Sequence, residues 1–470
     1  MDIILKELYT NQEELFKDAK KLVVTKFGMK SDNWTPVDKA LYKPKMLFEV
    51  PQAEAEKLRF DAIKYAFRHH YDNCSYYHNF CKKMEVKPDD ICSQSDFSKI
   101  PLISDLNFKG YSNESDFNDW LHKIYVGELP DMKIKSNPSF DYIIKAMHEK
   151  GILITFSSGT RGKLSFIPRD ELSWKRQQYA YARSFELMPF IQSPYKYNGI
   201  LFMPNPKKTH LFFARIGVTA LEAFDWVDKS RFNFAIDRKF STEFVKIFLG
   251  TDKGLKNILK GSLIKILIAV AQNKIMNHFI SILEKCEKEK ENVLIGGQPF
   301  QINALLSRIE NDGKNFDLKN SIVITTGGWK VHKDVKITEQ DFRSKITRIL
   351  GIPDKRCRDL YGMVECSTLN VSCEGHYKHI PHSVIYPIVL DEEYEPVGFG
   401  EYGRFAFLDP LANSYPGFIM TGDKVKLLEQ CPICDRPGPV IDKKISRMID
   451  VETKGCGEIM ARMFSRELNK

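Results

Sequence analysis

The sequence predicts an α/β fold, because strand-like and helical segments alternate along the chain. Two of the strand-like runs lead into glycines: Val293 to Ile295 precedes Gly296-Gly297, and Ser321 to Thr325 shortly precedes Gly327-Gly328. In α/β folds, ligands bind beyond the carboxyl ends of the strands, where a glycine lets the backbone approach closely. We therefore expect a ligand site at these strand ends.

The other elements follow from local patterns. Residues 1–45 are predicted to form an N-terminal helical appendage, and a helical pattern runs from Gln52 to Phe80. Two apolar runs, Ile152 to Phe156 and Leu164 to Pro168, are predicted strands on either side of a polar loop. Beyond them the patterns predict a helix capped by Asp170 or Ser173 and reaching Leu187, strands at Gly199 to Met203 and Leu211 to Val218, and helices within 240–290.

The composition favours a soluble, cytoplasmic protein. Lys and Arg number 70 against 61 Asp and Glu, so the net charge of +9 comes from a mixed surface and not from a nucleic-acid-binding arm; it suits an anionic nucleotide or an acidic carrier protein. The most apolar stretch, Leu263 to Val270, is too short to span a membrane, and the N-terminus does not look like a signal peptide. Ten unevenly spaced cysteines suggest thiols, metal ligands or a nucleophile rather than a disulfide framework.

The polar loop between the two predicted strands is the first candidate site. Its hydroxyls and free backbone N–H groups suit a phosphate chain, and two basic residues add positive charge. A Walker loop is excluded, because the sequence continues as a strand and not as a helix. An ordinary polar hairpin turn is the alternative. The loop consists of Ser157, Ser158, Gly159, Thr160, Arg161 and Gly162, followed by Lys163.

Three later stretches carry groups that suit a nucleotide. The stretch from Tyr361 to Glu365 places a ring that can stack on a base close to a carboxylate that can hold Mg²⁺. Asp423 follows Thr421-Gly422 on a turn, where a carboxylate can accept hydrogen bonds from ribose hydroxyls. Arg447 offers a cation close to the end of the chain.

Together and in this order, the four stretches resemble the successive motifs of the adenylate-forming superfamily, which includes acyl-CoA synthetases and nonribosomal adenylation domains. The closer resemblance is to LuxE-type acyl-protein synthetases, the long-chain-fatty-acid–protein ligases, and to phenylacetate–CoA ligases. It covers roughly residues 50–456. The stretches that carry it are Ile100 to Ile103, Gly327 to Lys330, Asn413 to Asp423 and Cys431 to Ile441.

The resemblance implies a role for each matching residue. Ser157, Ser158, Gly159, Thr160 and Gly162 would grip the phosphates of ATP. Gly327, Gly328 and Tyr361 would border the adenine, Glu365 would bind Mg²⁺, Asp423 would bind the ribose, and Arg447 the ribose or a phosphate.

The chain also departs from the superfamily pattern. The usual Pro and Lys of the loop are absent, Val364 replaces a Thr, and Ser446 replaces a Gly. The chain stops 20 residues after Asp450, where relatives carry a lid domain of about a hundred residues with a catalytic lysine. We expect the large N-terminal domain of adenylate-forming enzymes at 46–440 and a short tail at 441–470, with the lid absent or vestigial. Arg161 and Lys163 would then supply charge that the lid lysine otherwise brings.

Cys456 is the candidate nucleophile. It lies fourteen residues from the C-terminus between two glycines, which leave it sterically open, and two positions after Lys454, whose charge favours the thiolate. LuxE-like enzymes move the acyl group from the adenylate to a cysteine near their C-terminus. The alternative is a surface thiol in a frayed tail.

Four other residues predict a structural zinc site. Cys431-x-x-Cys434 has the spacing of half a zinc knuckle, and Cys373 with His379 could supply the other half. His376 is the alternative fourth ligand, and a reduced pair of thiols in a turn is the alternative to a metal site.

The sequence thus predicts an ATP- and Mg²⁺-dependent ligase that activates a carboxylic acid as acyl-AMP and passes the acyl group to a protein thiol, and the resemblance implies a fatty acid as the substrate. An acceptor or reductase protein would be its partner. One alternative is transfer to CoA or to a carrier protein. The other is a degenerate nucleotide-binding protein that has lost catalysis.

Overall fold

The computed structural model describes residues 27–130, 138–157, 164–188, 197–212, 214, 217, 219, 231–249, 255–328 and 337–448, with the backbone alone for 246–249 and 255–271. Its helices are α1 (Pro36–Tyr42), α2 (Gln52–Asn73), α3 (Ser75–Lys83), α4 (Phe117–Ile124), α5 (Phe140–Glu149), α6 (Glu171–Arg183), α7 (Thr242–Leu249), α8 (Leu255–Glu289), α9 (Pro299–Asn311) and α10 (Glu339–Leu350). Its strands are β1 (Ile103–Ser104), β2 (Leu153–Ser157), β3 (Ser165–Arg169), β4 (Tyr197–Pro204), β5 (Phe232–Ile236), β6 (Asn292–Gly297), β7 (Ile322–Thr326), β8 (Cys357–Tyr361), β9 (Asn370–Ser372), β10 (Lys378–His379), β11 (Tyr386–Leu390), β12 (Tyr402–Leu408), β13 (Phe418–Leu428), β14 (Val440–Ile441) and β15 (Ser446–Arg447).

One mixed sheet organises these elements and confirms the α/β prediction. Strands β5, β4, β6, β7 and β8 lie side by side in parallel, and β8 pairs antiparallel with β9. The sheet continues through β10, β14, β13 and β12 to β11, while β1 and β15 also pair with β13. Strands β2 and β3 form a separate antiparallel hairpin. The central strands β4 and β6 are almost entirely buried, as expected of strands that are covered on both faces.

Helix α6 follows the hairpin and confirms the predicted order of strand, loop, strand, cap and helix. Oδ1 of Asp170 accepts a hydrogen bond of 2.7 Å from the backbone N–H of Ser173, which satisfies a free donor of the first helical turn. The α-helix ends at Arg183, and a 3₁₀ turn carries the chain on to Leu187, where the sequence places the end of the helix.

The predicted strand from Leu211 to Val218 is wrong. Leu211 makes an isolated parallel bridge to Phe156, but the described positions that follow, Phe212, Ala214 and Gly217, are helical. Phe212 and Ala214 are buried. A short buried helix and a buried strand both give a continuous apolar run, so the local pattern does not distinguish them.

The described part of the N-terminal segment packs into the main core. Phe27, Val37 and Leu41 belong to the same hydrophobic cluster as the sheet. Nε of Arg176 on α6 contacts Oδ1 of Asp38 at 2.8 Å, and both side chains are fully buried. The domain boundaries at residues 45 and 440 stay a prediction.

Within the part of the chain that the structure describes, none of the helices combines the length and the apolar character that a bilayer span requires.

Candidate functional site

Three neighbouring parallel strands end at one edge of the sheet. Strand β6 ends at Gly297, β7 ends directly before Gly327, and β8 ends at Tyr361. Gly327 and Gly328 have φ angles of +82° and +63°, a backbone conformation that glycine adopts without a steric penalty. A Cβ atom on Gly327 would lie 3.1 Å from Nε2 of Gln298, so a larger residue would crowd this edge.

Asp423 lies at the centre of a polar cluster at this edge. Its Oδ2 accepts a hydrogen bond of 2.9 Å from the hydroxyl of Tyr361, and its Oδ1 lies 3.1 Å from Nε of Arg447. The second contact follows from the pairing of β13 with β15, which sets Asp423 opposite Arg447. Burial, and next the charge of Asp423, raise the pKa of Tyr361 well above its ordinary value, so its hydroxyl stays a donor. Three residues from separate sequence stretches thus meet in one place.

Arg447 keeps its charge in this cluster. Burial by itself lowers the pKa of Arg447, but the neighbouring Asp423, Tyr361, Asp105 and Glu365 outweigh that effect and the pKa is raised. The cluster therefore holds a permanent cation beside buried acidic groups.

Glu365 is a buried carboxyl, with 6% of its surface exposed. Burial above all, and next the nearby Asp105, raise the pKa of Glu365 to about 7, while Lys109 and Arg447 oppose this shift. With its pKa raised in this way, the carboxyl binds a proton far more readily than an exposed glutamate does. A bound cation would favour its ionised form, so the residue fits the metal-binding role that the resemblance implies.

Asp105 and Lys109 belong to the same polar cluster, although no motif in the sequence marks them. Strand β1 pairs in parallel with β13 and sets Ile103 opposite Ile419. The 3₁₀ turn Asp105–Lys109 directly follows β1 and so lies beside the strand that carries Asp423. Burial, the largest effect, raises the pKa of Asp105, and the charges of Lys109 and Arg447 partly offset it.

The predicted phosphate loop is described only at its first residue. Ser157 ends β2 and pairs with Ser165 of β3, so a hairpin does flank the loop as expected. Its other predicted residues and the candidate nucleophile lie outside the described residues, and their roles stay predictions: Ser158, Gly159, Thr160, Arg161, Gly162, Lys163 and Cys456.

The four predicted zinc ligands lie together. One potential ligand atom from each of Cys373, His379, Cys431 and Cys434 falls within 4.8 Å of all the others, and all four residues are buried. Sγ of Cys373 lies 3.7 Å from Sγ of Cys431, and Sγ of Cys434 lies 3.2 Å from Nε2 of His379. A hydrogen bond from Cys373, and a further one from His379, lower the pKa of Cys434. Three sulfurs and one imidazole form a donor set that suits Zn²⁺.

His376, the alternative ligand, points to another partner. Its Nε2 lies 2.7 Å from Oδ2 of Asp354, and it is not part of the four-residue group. Strand pairing positions two members of the group: Cys373 directly follows β9, and His379 lies on β10, where it pairs with Val371 of β9 and Val440 of β14.

Comparisons with known proteins show what this chain is similar to. Residues 268–465 match the family model described as acyl-protein synthetase, LuxE. The chain is 23% identical over 419 residues to a long-chain-fatty-acid–luciferin-component ligase of Aliivibrio fischeri, a match that covers 88% of this chain and 91% of that protein. A ligase of the same name from Vibrio harveyi is 24% identical over 185 residues, covering 39% of this chain and 48% of that protein.

Solved structures give the fold. A 2-hydroxyisobutyryl-CoA ligase in complex with 2-HIB-AMP superposes with a TM-score of 0.57 at 14% identity, covering 90% of this chain and 74% of that chain. An open conformation of that ligase, with 2-HIB-AMP and CoA, gives a TM-score of 0.56 at 13% identity over 90% and 81% of the two chains. The fold is that of adenylate-forming ligases, and the resemblance to LuxE-type acyl-protein synthetases is confirmed.

Proposed function

We infer that this chain is an acid–thiol ligase of the LuxE type, which activates a fatty acid as acyl-AMP and then transfers the acyl group to a protein thiol. The relatives from Aliivibrio fischeri and Vibrio harveyi are both named as ligases of long-chain fatty acids. The observation that carries the proposal for this chain is the meeting of Tyr361, Asp423 and Arg447 with the buried Glu365 at the carboxyl edge of the parallel strands.

The two steps place simple demands on the site. A carboxylate oxygen of the acid attacks the α-phosphorus of ATP, the bond to the bridging oxygen breaks, and pyrophosphate leaves. A thiolate then attacks the acyl carbon, and AMP leaves with the electron pair of the broken C–O bond. Negative charge increases around the α-phosphorus in the first step, so a fixed cation lowers its barrier. Arg447 supplies such a cation.

Asp423 orients the nucleotide in this proposal. Each oxygen of a carboxylate can accept more than one hydrogen bond, so Oδ1 and Oδ2 can bind ribose hydroxyls while they keep Arg447 and Tyr361. Gly327 and Gly328 leave room for the adenine beside the strand ends.

Glu365 is the proposed Mg²⁺ ligand. Mg²⁺ bound with ATP neutralises phosphate charge and makes the α-phosphorus more electrophilic. The carboxyl of Glu365 must be ionised to take part, and its raised pKa makes that ionisation dependent on the cation.

The second step requires a thiol acceptor, for which we propose Cys456. The described cysteines are all free, and most are buried, with Cys92 exposed. Free thiols persist in a reducing compartment, so we place the protein in the cytoplasm. An acyl-acceptor protein, a reductase, a carrier protein or CoA would take the acyl group from the enzyme.

Zn²⁺ is the proposed ion of the four-residue Cys/His group. A closed site with four protein ligands has no open position for a substrate, so its role would be structural. It would fix the short strands β9, β10 and β14, of which β9 pairs with the strand that ends at Tyr361.

An acid-dependent ATP–pyrophosphate exchange assay tests the activation step. The chain is incubated with ATP, Mg²⁺, labelled pyrophosphate and a panel of fatty, aryl and amino acids. We expect label to enter ATP with long-chain fatty acids and not with amino acids. Absence of exchange with every acid, from a folded and zinc-loaded protein, would overturn the proposal and favour a degenerate nucleotide-binding protein.

A further inference from the structure

The turn that carries Glu365 is held by buried side chains from other parts of the chain. Three consecutive backbone carbonyls in residues 364–366 accept hydrogen bonds, and the next backbone N–H donates one. Arg169 donates to the carbonyl of Val364. The Tyr415 hydroxyl donates to the carbonyl of Glu365 at 3.2 Å, and the Tyr181 hydroxyl donates to that of Cys366 at 3.3 Å. The N–H of Ser367 donates to Oδ2 of Asp409 at 2.6 Å.

Arg169 contacts one of these carbonyls directly and a second one through Tyr415. Its Nη1 donates to Oγ1 of Thr155 at 2.8 Å, and its Nη2 donates both to the Val364 carbonyl and to the Tyr415 hydroxyl, the latter at 3.3 Å. The guanidinium carbon lies 5.4 Å from the ring centroids of Phe212 and Tyr415. Tyr415 connects Arg169 to Glu365, because its hydroxyl accepts from Arg169 and donates to the Glu365 carbonyl.

The partners of Arg169 are unusual for a cation in a protein core. The residue is fully buried, with 0% of its surface exposed. Among the described residues, no carboxylate oxygen lies within ion-pair distance of its nitrogens. Burying a charge is costly, and the neutral acceptors and aromatic faces offset part of that cost, as does the buried carboxyl of Asp409. Burial above all raises the pKa of Asp409, and the charge of Arg169 is among the effects that oppose this shift.

We propose that Arg169 is a positioning residue for Glu365: it fixes the backbone of residues 364–366, directly and through Tyr415, and thereby sets where the Glu365 carboxylate meets the metal. This inference rests on the proposed function of Glu365. Arg169 is the last residue of β3, so the same side chain ties the β2–β3 hairpin, which flanks the predicted phosphate loop, to the predicted metal ligand.

A lysine cannot replace this arginine. Arginine presents a planar fork of donors that reaches acceptors in different directions, and it stacks on aromatic faces, whereas lysine presents one compact ammonium. In Arg169→Lys the cation remains, but it cannot reach Thr155, Val364 and Tyr415 together.

Hydrogen exchange of the purified chain provides the first test, and it needs no activity. In Arg169→Lys we expect the amides of residues 364–368 to exchange at least tenfold faster than in the wild type, with β6 and β7 unchanged. Arg176→Lys is the matched control, because Arg176 is equally buried but contacts Asp38 and Thr35 instead. It should leave the turn unchanged.

The Mg²⁺ dependence of ATP–pyrophosphate exchange provides the second test. Arg169→Lys should raise the Mg²⁺ concentration for half-maximal exchange about tenfold, and Arg176→Lys should not. If Arg169→Lys does not fold, Tyr415→Phe decides, since it removes only the hydroxyl that contacts Arg169 and the Glu365 carbonyl; we expect a two- to fivefold shift.

The two proposals fail in different ways. If folded Arg169→Lys and Tyr415→Phe both keep wild-type protection and Mg²⁺ dependence, Arg169 has only a structural role and the inference is wrong. If the wild type shows no exchange with any acid, the proposed function fails, while the protection of residues 364–368 still reports whether Arg169 orders this turn.

Discussion

The hydroxyl of Tyr361 donates a hydrogen bond of 2.9 Å to Asp423, 62 positions further along the chain. Tyr361 ends a parallel strand, and Asp423 lies within the long antiparallel strand β13. The bond therefore joins the two halves of the mixed sheet at the edge where the nucleotide is proposed to bind. Nε of Arg447 contacts the other carboxylate oxygen of Asp423, so the same side chain also joins β15 to this edge.

Asp423→Asn should weaken ATP binding. The amide keeps the size of the side chain but loses the negative charge that pairs with Arg447 and accepts from ribose. Hydrogen bonds to a charged group contribute about 1.5–3 kcal/mol, so the KM for ATP should rise roughly ten- to a hundredfold. The KM for the fatty acid should stay within about twofold, because Asp423 does not contact the acid in the proposal.

Asp442→Asn is the control for this change. Asp442 also pairs with a cation, Lys426 at 3.0 Å, but it lies outside the polar cluster. Equal effects of the two substitutions on ATP binding would show that loss of any carboxylate on this sheet is enough, and the ribose role of Asp423 would be wrong.

Lys109→Met should shift the pH dependence of adenylation. The charge of Lys109 opposes the upward shift that burial and Asp105 impose on the pKa of Glu365, which stands at about 7. Removing that cation raises the pKa further. Since the ionised carboxylate is the form that binds Mg²⁺, exchange activity should decline as pH falls through about 7 in the wild type and at a higher pH in the variant.

The measurement is the exchange rate between pH 5.5 and 9 at subsaturating Mg²⁺. Lys99→Met is the control, because Lys99 is exposed and pairs with Asp96 away from the polar cluster. If the exchange rates of the wild type and Lys109→Met fall at the same pH, Lys109 does not influence the ionisation of Glu365.

The sequence singled out Tyr361, Asp423 and Arg447, which the structure brings together, because each lies in a short stretch of recognisable chemistry. Asp105 and Lys109 could not be predicted from the sequence, because they join the cluster only through the pairing of β1 with β13. A strand of two residues leaves no periodic signal. Long-range pairing of this kind depends on the tertiary fold and not on local propensity.

The same limit explains the misassigned run at Leu211. Its apolar residues indicated burial correctly, but burial is common to helices and strands in a covered sheet. The four-residue Cys/His group was accessible from the sequence for the opposite reason. Cys431 and Cys434 have a spacing that a metal site itself requires, and the sequence offered Cys373 and His379 as partners before their strands were known to be adjacent.

The purified chain should contain about one equivalent of zinc, and Cys434→Ser should lose most of it. Serine is a poor zinc ligand, and the remaining three ligands leave the site open. Elemental analysis after dialysis measures the metal. His376→Asn is the matched control, because His376 lies close by in sequence but contacts Asp354. If His376→Asn loses its zinc and Cys434→Ser keeps it, His376, and not the four-residue group, holds the ion.

His382 should make the fold sensitive to acid. Burial above all lowers the pKa of His382 to about 4, and its Nε2 lies 2.9 Å from the carbonyl oxygen of Val50. In the unfolded chain the pKa is about 6.5, so the unfolded state binds the proton that the folded state excludes. As pH falls from about 6.5 to 4, the free energy of unfolding should decrease by up to about 3 kcal/mol on account of this residue.

His382→Gln isolates that contribution, because glutamine keeps a donor for the Val50 carbonyl but does not titrate. Urea unfolding at pH 7, 5.5 and 4 should show a shallower loss of stability in His382→Gln than in the wild type. His122→Gln, at an exposed position, should follow the wild-type curve. Parallel curves for all three proteins would assign the acid sensitivity to other groups.

Cys456→Ser should separate activation from transfer. In the proposal the adenylation step uses groups on the sheet, so ATP–pyrophosphate exchange should persist in this variant. The acyl-enzyme requires a thiolate, so labelling of the chain by radioactive fatty acid and ATP should fall at least a hundredfold, because a serine hydroxyl with an unperturbed pKa is a far weaker nucleophile. Hydroxylamine should release the label from the wild type, as expected of a thioester.

Cys92→Ser is the control for this variant, because Cys92 is an exposed thiol that the proposal does not use. It should keep full labelling. A different result would support direct transfer from the adenylate to CoA. In that case Cys456→Ser would still bind the label, and addition of CoA would release it as acyl-CoA. The chain would then act as an acyl-CoA ligase. Loss of exchange together with labelling in Cys456→Ser would place Cys456 in the activation step and contradict its role as acceptor alone.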